Sequence, residues 1–225
     1  MRVAVIPLRG GSKGIPDKNI KDMCGMPLCF WAMKAAATSN AFEKIIISTD
    51  CKKIKGVVTE IMPALDEGGK LFQIIDRPEK LARDDTPTFP VIRHALEGVK
   101  YDTVTTIQAT NPMIDCYSLW EANELMDDDN YDSMLSAVRF RRLIWKKGKP
   151  LNFKVDDRPR RQEIKGQFME NGAFYITRKR GIEWYKKLLG GNVGIYEMLE
   201  ETAIELDEPG DWVKVERAMN SAEVE

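Results

Sequence analysis

The amino-terminal segment constrains the fold of this chain more than any other feature. The apolar run Val3–Ile6 leads, from residue 8, into the sequence Leu-Arg-Gly-Gly-Ser-Lys-Gly-Ile-Pro-Asp-Lys-Asn. The run predicts a buried strand, and the glycines after it let backbone amides approach a ligand closely. Arg9, Lys13 and Lys18 place cations around those amides, as a polyphosphate requires. The segment therefore predicts a strand followed by a phosphate-binding loop.

This loop differs from two familiar phosphate-binding motifs. The P-loop ends in Gly-Lys-Ser/Thr, whereas Lys13 is followed here by Gly14. The dinucleotide motif Gly-x-Gly-x-x-Gly does not fit the spacing of Gly10, Gly11 and Gly14. The alternative is a tight strand-to-helix turn with solvated lysines, although such turns rarely need so many cations. A nucleotide-binding loop of another class is the favoured interpretation.

Composition excludes several classes of protein. The 225 residues carry a formal net charge of −1, whereas general nucleic-acid binders carry a strong basic excess. The 4 cysteines form no Cys-x-x-Cys pair and the single histidine is His94, so no zinc site is expected. No apolar run reaches the length of a membrane span, and the start lacks a signal-peptide pattern. We expect a cytoplasmic protein that binds neither nucleic acid nor membrane.

Strand-like and helix-like segments alternate along the first half of the chain. Apolar runs at residues 44–50 and 103–108 resemble the first one. Helical patterns lie between and before these runs, at Leu28–Thr38, Cys51–Met62 and Thr88–Val99. This alternation predicts a Rossmann-like, doubly wound α/β fold with a mostly parallel sheet, whose ligands bind beyond the carboxyl ends of the strands. The glycine-rich loop, Asp50 and Gln108 fall at such ends.

The second half continues this pattern with one interruption. Strands are predicted at Ser133–Val138 and Asn171–Thr177, and helices at Tyr117–Asp127, Ile182–Leu189 and Trp212–Met219. Between the two strands, residues 139 to about 170 are strongly charged and poor in core side chains. We expect a single domain over residues 1–225, from which this excursion projects as a small lid or dimerisation subdomain.

Several blocks of sequence match the motifs of one family. They are the loop at residues 6–19, Ser48-Thr49-Asp50, Arg77-Pro78 with Leu81-Ala82, Gln108-Ala109-Thr110-Asn111-Pro112, Arg161-Gln162-Glu163, Asn171-Gly172-Ala173-Phe174-Tyr175-Ile176 and Ile204-Glu205-Leu206-Asp207. Together they resemble the CMP-sialic acid synthetase (acylneuraminate cytidylyltransferase) family, nearly from end to end. The resemblance implies a homodimeric enzyme that transfers CMP from CTP to the anomeric hydroxyl of a nonulosonic 2-keto sugar acid. Pyrophosphate is released and Mg²⁺ assists.

The cationic loop and the resemblance together suggest roles for individual residues. Catalysis is expected of Arg9, Lys13 and Lys18, which would neutralise the triphosphate and the departing pyrophosphate. Nucleotide binding is expected of Leu8, Arg9, Gly10, Gly11, Ser12, Lys13, Asn19, Arg77, Thr86 and Thr88. Binding of the sugar acid is expected of Gln108, Arg161, Gln162, Asn171 and Tyr175.

The proposed metal ligands are Glu205 and Asp207. Two positions apart, they face the same side of an extended backbone, and Mg²⁺ prefers oxygen ligands. The alternative is a pair of exposed acids on a strand edge, which the spacing alone would favour. Glu205 stands where the family has aspartate, and its longer side chain moves the carboxylate outward.

The acceptor is the least constrained part of the prediction. Ala109 and Asn111 stand where the family has proline and serine, in a loop expected to contact the sugar. We therefore predict a relative of sialic acid, such as a diamino nonulosonic acid or an eight-carbon keto acid. The alternatives are activation of a 3-deoxy-octulosonate-type or other sugar acid, and a non-catalytic nucleotide-binding relative.

Overall fold

A seven-stranded sheet forms the centre of the computed structural model. Its strands are β1 (Arg2–Pro7), β2 (Lys44–Thr49), β3 (Phe72–Asp76), β4 (Thr103–Ile107), β5 (Ser133–Phe140), β6 (Gln167–Arg178) and β7 (Val193–Met198). The structure describes residues 1–66, 68–69, 71–128 and 130–222, and the side chains of Asp128, Arg161 and Ala222 lie outside that description. The strand order is β3-β2-β1-β4-β6-β5-β7. This confirms the predicted doubly wound α/β fold.

Burial on both faces explains the apolar run of the first strand. β1 is flanked by β2 and β4, both parallel to it, with Val3 opposite Lys44 on one side and Val104 on the other. All four residues from Val3 to Ile6 are 0% exposed, because helices cover both faces of the sheet. The loop that follows Pro7 therefore starts from a rigid central position at the carboxyl edge.

The described part of the chain contains five α-helices. They are α1 (Leu28–Thr38), α2 (Lys52–Leu65), α3 (Thr88–Ala95), α4 (Cys116–Asp128) and α5 (Pro209–Ala222). On one face, α1, α2 and α4 pack against Ala4 and Ile6 of β1, whereas α3 packs against Val3 and Val5 on the other. None of the helices in the described part of the chain is both long and apolar enough to cross a membrane.

The strand β6 has the opposite direction to the other strands of the sheet. It is antiparallel to both β4 and β5, while the other neighbouring pairs in the sheet are parallel. Its register with β5 shifts between Glu170 and Tyr175, where Gly172 has a φ of +61°. This bulge places Asn171 and Gly172 at the edge where β4 ends, because Phe174 lies opposite Ile107.

Two parts of the second half differ from the sequence prediction. The helix predicted at Ile182–Leu189 is wrong, because the chain forms only a π-helical turn at Gly181–Tyr185 and then turns at Lys186, whose φ is +52°. The strand β7 was not predicted. It is an edge strand in which exposed and buried residues alternate, so it lacks the continuous apolar run of the central strands.

The excursion between β5 and β6 is largely irregular, as predicted. The two strands stay paired out to Phe140 and Gln167, beyond the helical layers. Between them lie a two-stranded ladder of Trp145–Lys146 with Lys149–Pro150 and a 3-10 turn at Arg161–Glu163. The excursion leaves and rejoins the sheet at its carboxyl edge, beside the loops that the sequence associates with ligand binding.

Candidate functional site

A cleft of about 430 Å³ opens at the carboxyl edge of the sheet. Many of the predicted site residues line it: Arg9, Ser12, Lys13, Lys18, Asn19, Arg77, Thr86, Thr88, Gln108 and Asp207. They come from the glycine-rich loop, the ends of β3 and β4, the start of α3 and the segment before α5. The fold thus brings together residues that are up to about two hundred positions apart in the sequence.

The glycine-rich loop is held against the end of β2. The amide of Gly10 donates a hydrogen bond to Oδ1 of Asp50 at 3.0 Å, and a Cβ at Gly10 would lie 2.9 Å from the Cβ of Cys51. Asn19 closes the loop by donating its side-chain amide to the carbonyl of Arg9 at 2.9 Å. Glycine at position 10 therefore permits the close approach that shapes this side of the loop.

Three of the predicted nucleotide-binding residues contribute no side chain to this cleft. Leu8 is 0% exposed and packs in the core. Gly10 and Gly11 face a neighbouring cavity on the other side of the loop, beside Asp50 and Cys51. Any contact that these three residues make with a ligand in the 430 Å³ cleft would come from the backbone.

The two outer cations of the loop share one carboxylate. Nη1 of Arg9 lies 2.5 Å from Oδ1 of Asp84, and Nζ of Lys13 lies 2.5 Å from Oδ2. Hydrogen bonds from Lys13 and Arg9 hold the pKa of Asp84 below its ordinary value. The sequence did not single out Asp84, although it follows the Leu81-Ala82 motif closely.

Arg77 forms the buried floor of the cleft. Its side chain donates through Nε to Oγ of Ser48 at 3.1 Å and through Nη2 to the Ser48 carbonyl at 2.6 Å. Burial, together with the nearby Arg9, lowers the pKa of Arg77 to about 10, so the guanidinium remains charged at neutral pH. It forms no ion pair with any residue that the structure describes, although the negative charge of Asp50 partly opposes the lowering of its pKa.

Lys18 joins the loop to the segment that carries the acidic pair. Its Nζ donates to the carbonyl of Leu206 at 2.6 Å and lies 3.6 Å from Oδ1 of Asp207. On the other side, the amide of Leu206 donates to the carbonyl of Thr110 at 2.9 Å. A Cβ at Gly14 would lie 2.5 Å from the Asp207 carbonyl, so the loop and the acidic segment are in direct contact.

The surroundings of Glu205 disfavour the negative charge of its carboxylate. It is half-buried, and burial, the charge of Asp207 and the charge of Glu170 all raise its pKa, while Lys18 opposes them. Its carboxylate has no hydrogen bond or ion pair within the described residues. Such a carboxylate is suited to a cation, and Mg²⁺ is commonly bound by one or two carboxylates together with substrate phosphates. No group of three or more acidic, histidine or cysteine residues able to hold a metal occurs among the residues described.

The residues predicted to bind the sugar acid fall into different environments. Gln108 lines the cleft, and its backbone amide is fixed by a 3.0 Å hydrogen bond to the Ala173 carbonyl. Tyr175 donates its hydroxyl to Oε2 of Glu170 at 3.0 Å, and burial together with this carboxylate raises the pKa of its phenol. Gln162 lies apart from the cleft, along a surface cavity of the excursion. The side chain of Arg161 lies outside the described residues.

Asn171 lies beneath the site, where it is 0% exposed. Its Nδ2 donates to Oγ1 of Thr202 at 2.9 Å, while Nδ2 of Asn111 donates at 2.8 Å to the carbonyls of both Asn171 and Thr202. These bonds tie the loop after β4 and the bulge of β6 to the segment that leads to Glu205. The arrangement supports a positioning role for Asn171, and Asn111 is a second such residue that the sequence had marked only as a departure from the family.

A larger cavity of about 730 Å³ lies nearby, beyond the ends of β5 and β7. It is lined by Tyr117, Ser118, Tyr196, Arg139 and Arg141, among others. None of the predicted site residues with a described side chain lines it. Most of the residues predicted to bind the nucleotide line the smaller, more cationic cleft instead.

The sequence of the chain is similar to those of known cytidylyltransferases. A family model described as cytidylyltransferase matches residues 3–212. N-acylneuraminate cytidylyltransferase A of Danio rerio is 38% identical over 223 residues, which is 95% of this chain and 50% of that protein. N-acylneuraminate cytidylyltransferase of Oncorhynchus mykiss is 36% identical over 223 residues, covering 95% of this chain and 49% of that protein. The chain thus spans about half the length of the curated relatives it matches.

A solved structure has the same fold. The CMP:2-keto-3-deoxy-manno-octonic acid synthetase complexed with CTP superimposes with a TM-score of 0.73 at 17% identity, covering 98% of this chain and 99% of the other. At that identity the likeness concerns the architecture of the sheet and its surrounding helices.

Proposed function

The chain belongs to the cytidylyltransferase family, and on that premise we propose that it transfers CMP from CTP to a nonulosonic 2-keto sugar acid. The anomeric hydroxyl oxygen would bond to the α-phosphorus and lose its proton, while pyrophosphate leaves. One observation carries the proposal. The cationic loop and Asp207 line one cleft, and Lys18 donates to the carbonyl of Leu206, the residue between Glu205 and Asp207.

The loop and the buried arginine would hold the nucleotide. Arg9, Lys13 and Arg77 offer positive charge to the triphosphate from two sides of the cleft, and Ser12 adds a hydroxyl donor. Charge neutralisation and positioning are what transfer at phosphorus requires of a protein. The cleft wall at the start of α3 contributes hydroxyl groups for the ribose or base.

Glu205 and Asp207 would hold Mg²⁺ beside the phosphates. The half-buried, unpaired carboxylate of Glu205 supports this assignment, and the exposed Asp207 adjoins it at the mouth of the cleft. When bound, the ion supplies charge stabilisation for the phosphate oxygens as the transfer proceeds. Lys18 fixes the backbone between the two acids, so its charge and its hydrogen bond both position the site.

The sugar acid would occupy the side of the cleft near Gln108. Its carboxylate calls for an arginine, and Arg161 in the excursion remains the proposed partner. We propose that the protein is a cytoplasmic homodimer whose excursion contacts the second subunit. Exposed apolar side chains in and beside the excursion, at Trp145, Leu151, Val155 and Phe168, are compatible with such a contact.

Release of pyrophosphate from CTP tests the proposal. The purified chain would be incubated with CTP and Mg²⁺ alone, and then with N-acetylneuraminate, a diamino nonulosonic acid or 3-deoxy-octulosonate. We expect release that depends on a nonulosonic acid and on Mg²⁺. Use of the octulosonate alone would support the alternative acceptor, and nucleotide binding without release would support a non-catalytic relative. Light scattering on the same sample would measure the proposed dimer.

A further inference from the structure

An ion-pair bridge crosses the mouth of the cleft. Asp84 lies in the loop between the 3-10 turn Glu79–Leu81 and α3, opposite the glycine-rich loop. Its two carboxylate oxygens each bind one cation, Arg9 through Oδ1 and Lys13 through Oδ2, both at 2.5 Å. A carboxylate and a phosphate offer such cations the same kind of anionic oxygen. Asp84 therefore occupies two of the cations that the proposed function assigns to the triphosphate.

We propose that Asp84 is an exchangeable anion at this site. Its carboxylate holds Arg9 and Lys13 while the cleft is free of nucleotide, releases them to the incoming triphosphate and binds them again as pyrophosphate leaves. This inference rests on the proposed function, because it needs a polyphosphate in the cleft. In this proposal the negative charge of Asp84 competes with the triphosphate and with pyrophosphate for Arg9 and Lys13. Asp84 thereby lowers the affinity of the site for pyrophosphate.

The exposure of the bridge favours exchange over a permanent contact. The side chains of Asp84 and Lys13 are 41% and 80% exposed, so their ion pair is weak and open to competition. A triphosphate brings several negative charges to the same cations and would displace a single carboxylate. Lys18 differs, because its side chain is 15% exposed and donates to a backbone carbonyl that cannot be displaced by an anion.

The neighbouring residue offers a matched control. Asp85 is exposed, follows Asp84 directly and forms no ion pair with any residue of the described ranges. The variant Asp85→Asn removes one negative charge at the adjacent position of the same loop. It therefore reports the general effect of charge, while Asp84→Asn also frees the two cations.

Binding of inorganic pyrophosphate, measured by calorimetry without acceptor, tests the proposal. We expect Asp84→Asn to bind pyrophosphate about three- to tenfold more tightly than wild type, because two exposed ion pairs no longer compete. Asp85→Asn should change the affinity less than about twofold. Asp84→Glu, which keeps the carboxylate, should stay closer to wild type than Asp84→Asn.

Either of two results would contradict the proposed exchange. If Asp84→Asn binds pyrophosphate more weakly, the carboxylate orients the cations for the ligand, and if it matches Asp85→Asn, no specific exchange occurs. Thermal unfolding would verify that each variant is folded, and Asp84→Ser provides a second variant that lacks the carboxylate. Wild-type protein that binds neither CTP nor pyrophosphate would instead contradict the proposed function itself, so the two failures are distinguishable.

Discussion

The carboxylate of Glu205 lies directly against the Cα of Gly172. A Cβ at position 172 would fall 2.3 Å from Oε1 of Glu205 and 2.7 Å from Oε2, well inside contact distance. Gly172 also has a φ of +61° within the bulge of β6. The glycine thus serves two requirements at once, a left-handed backbone and an open surface on which the acidic side chain rests.

We predict that Gly172→Ala inactivates the protein. Its loss of thermal stability should be little more than that of Gly98→Ala, in which the glycine also has a positive φ. The new methyl group would displace the Glu205 carboxylate, and misplacement of about 1 Å at a reacting centre costs about 100-fold in turnover. Gly98→Ala is the matched control, since Gly98 has a φ of +75° and a Cβ there would have no atom within 4 Å. Pyrophosphate release and thermal unfolding would be measured for both. Equal turnover in the two variants would contradict a role for the Glu205 position.

Lys18→Met should lower turnover by about 100-fold while the chain remains folded. The methionine keeps the apolar stem but removes the donor to the Leu206 carbonyl and the charge beside Asp207. Lys53→Met is the control, because Lys53 is 64% exposed and pairs with Asp17 at the surface. Steady-state assays over a range of Mg²⁺ concentrations would compare them. Near-normal turnover of Lys18→Met would remove this residue from the site.

Asn111→Ala should disturb the acidic segment as well as the core. It removes donors to the carbonyls of Asn171 and Thr202 and leaves both buried, at a cost of about 1–3 kcal/mol in unfolding free energy. Asn123→Ala is the control, since Asn123 is 1% exposed and bonds within and beside α4, away from the cleft. Both variants should lose stability, but only Asn111→Ala should raise the Mg²⁺ concentration needed for half-maximal turnover. If the Mg²⁺ concentration needed for half-maximal turnover changes equally in the two variants, Asn111 has a purely structural role.

Asp132 should stabilise the fold in a pH-dependent manner. A hydrogen bond from the Asn192 amide, at 2.7 Å, and the neighbouring Arg180 hold the pKa of this carboxyl below its ordinary value of 3.8. Because the folded-state pKa is lowered, the stabilisation is present above pH 3.8 and is lost as the pH falls through the lower folded value. Asp132→Asn should therefore unfold at a lower temperature than wild type at pH 7. The gap should narrow as the pH falls below 3.8, and a gap independent of pH would contradict this assignment.

The sequence predicted the central strands and the helices of the first half because these elements carry strong local patterns, but it missed the edge strand β3 (Phe72–Asp76). The central strands are buried on both faces and read as continuous apolar runs. The edge strand β7 was missed because one of its faces is exposed and Gly194 interrupts its apolar residues. The helix predicted from Ile182 has suitable side chains, yet the chain turns after Tyr185, and no local residue pattern announces that turn.

The site was predictable where motifs are contiguous and less so where distant segments meet. The glycine-rich loop contains its cations within ten positions, so its chemistry can be inferred locally. Asp84 reaches Arg9 across 75 positions, and no sequence spacing encodes that ion pair. Asn171 belongs to a motif that the sequence associates with the sugar. The bulge of β6 turns its side chain inward, toward Thr202, which a strand pattern alone does not reveal.

The reversed direction of β6 has a consequence for how such chains diversify. Since β5 leaves the sheet and β6 enters it at the same edge, the connection between them is a long hairpin whose length does not affect the strand order. Insertions and deletions there would alter the excursion and leave the order of the strands unchanged. The glycine-rich loop follows β1, a central strand with a parallel neighbour on each side. The excursion can therefore vary in length and sequence without moving the strand that positions the glycine-rich loop.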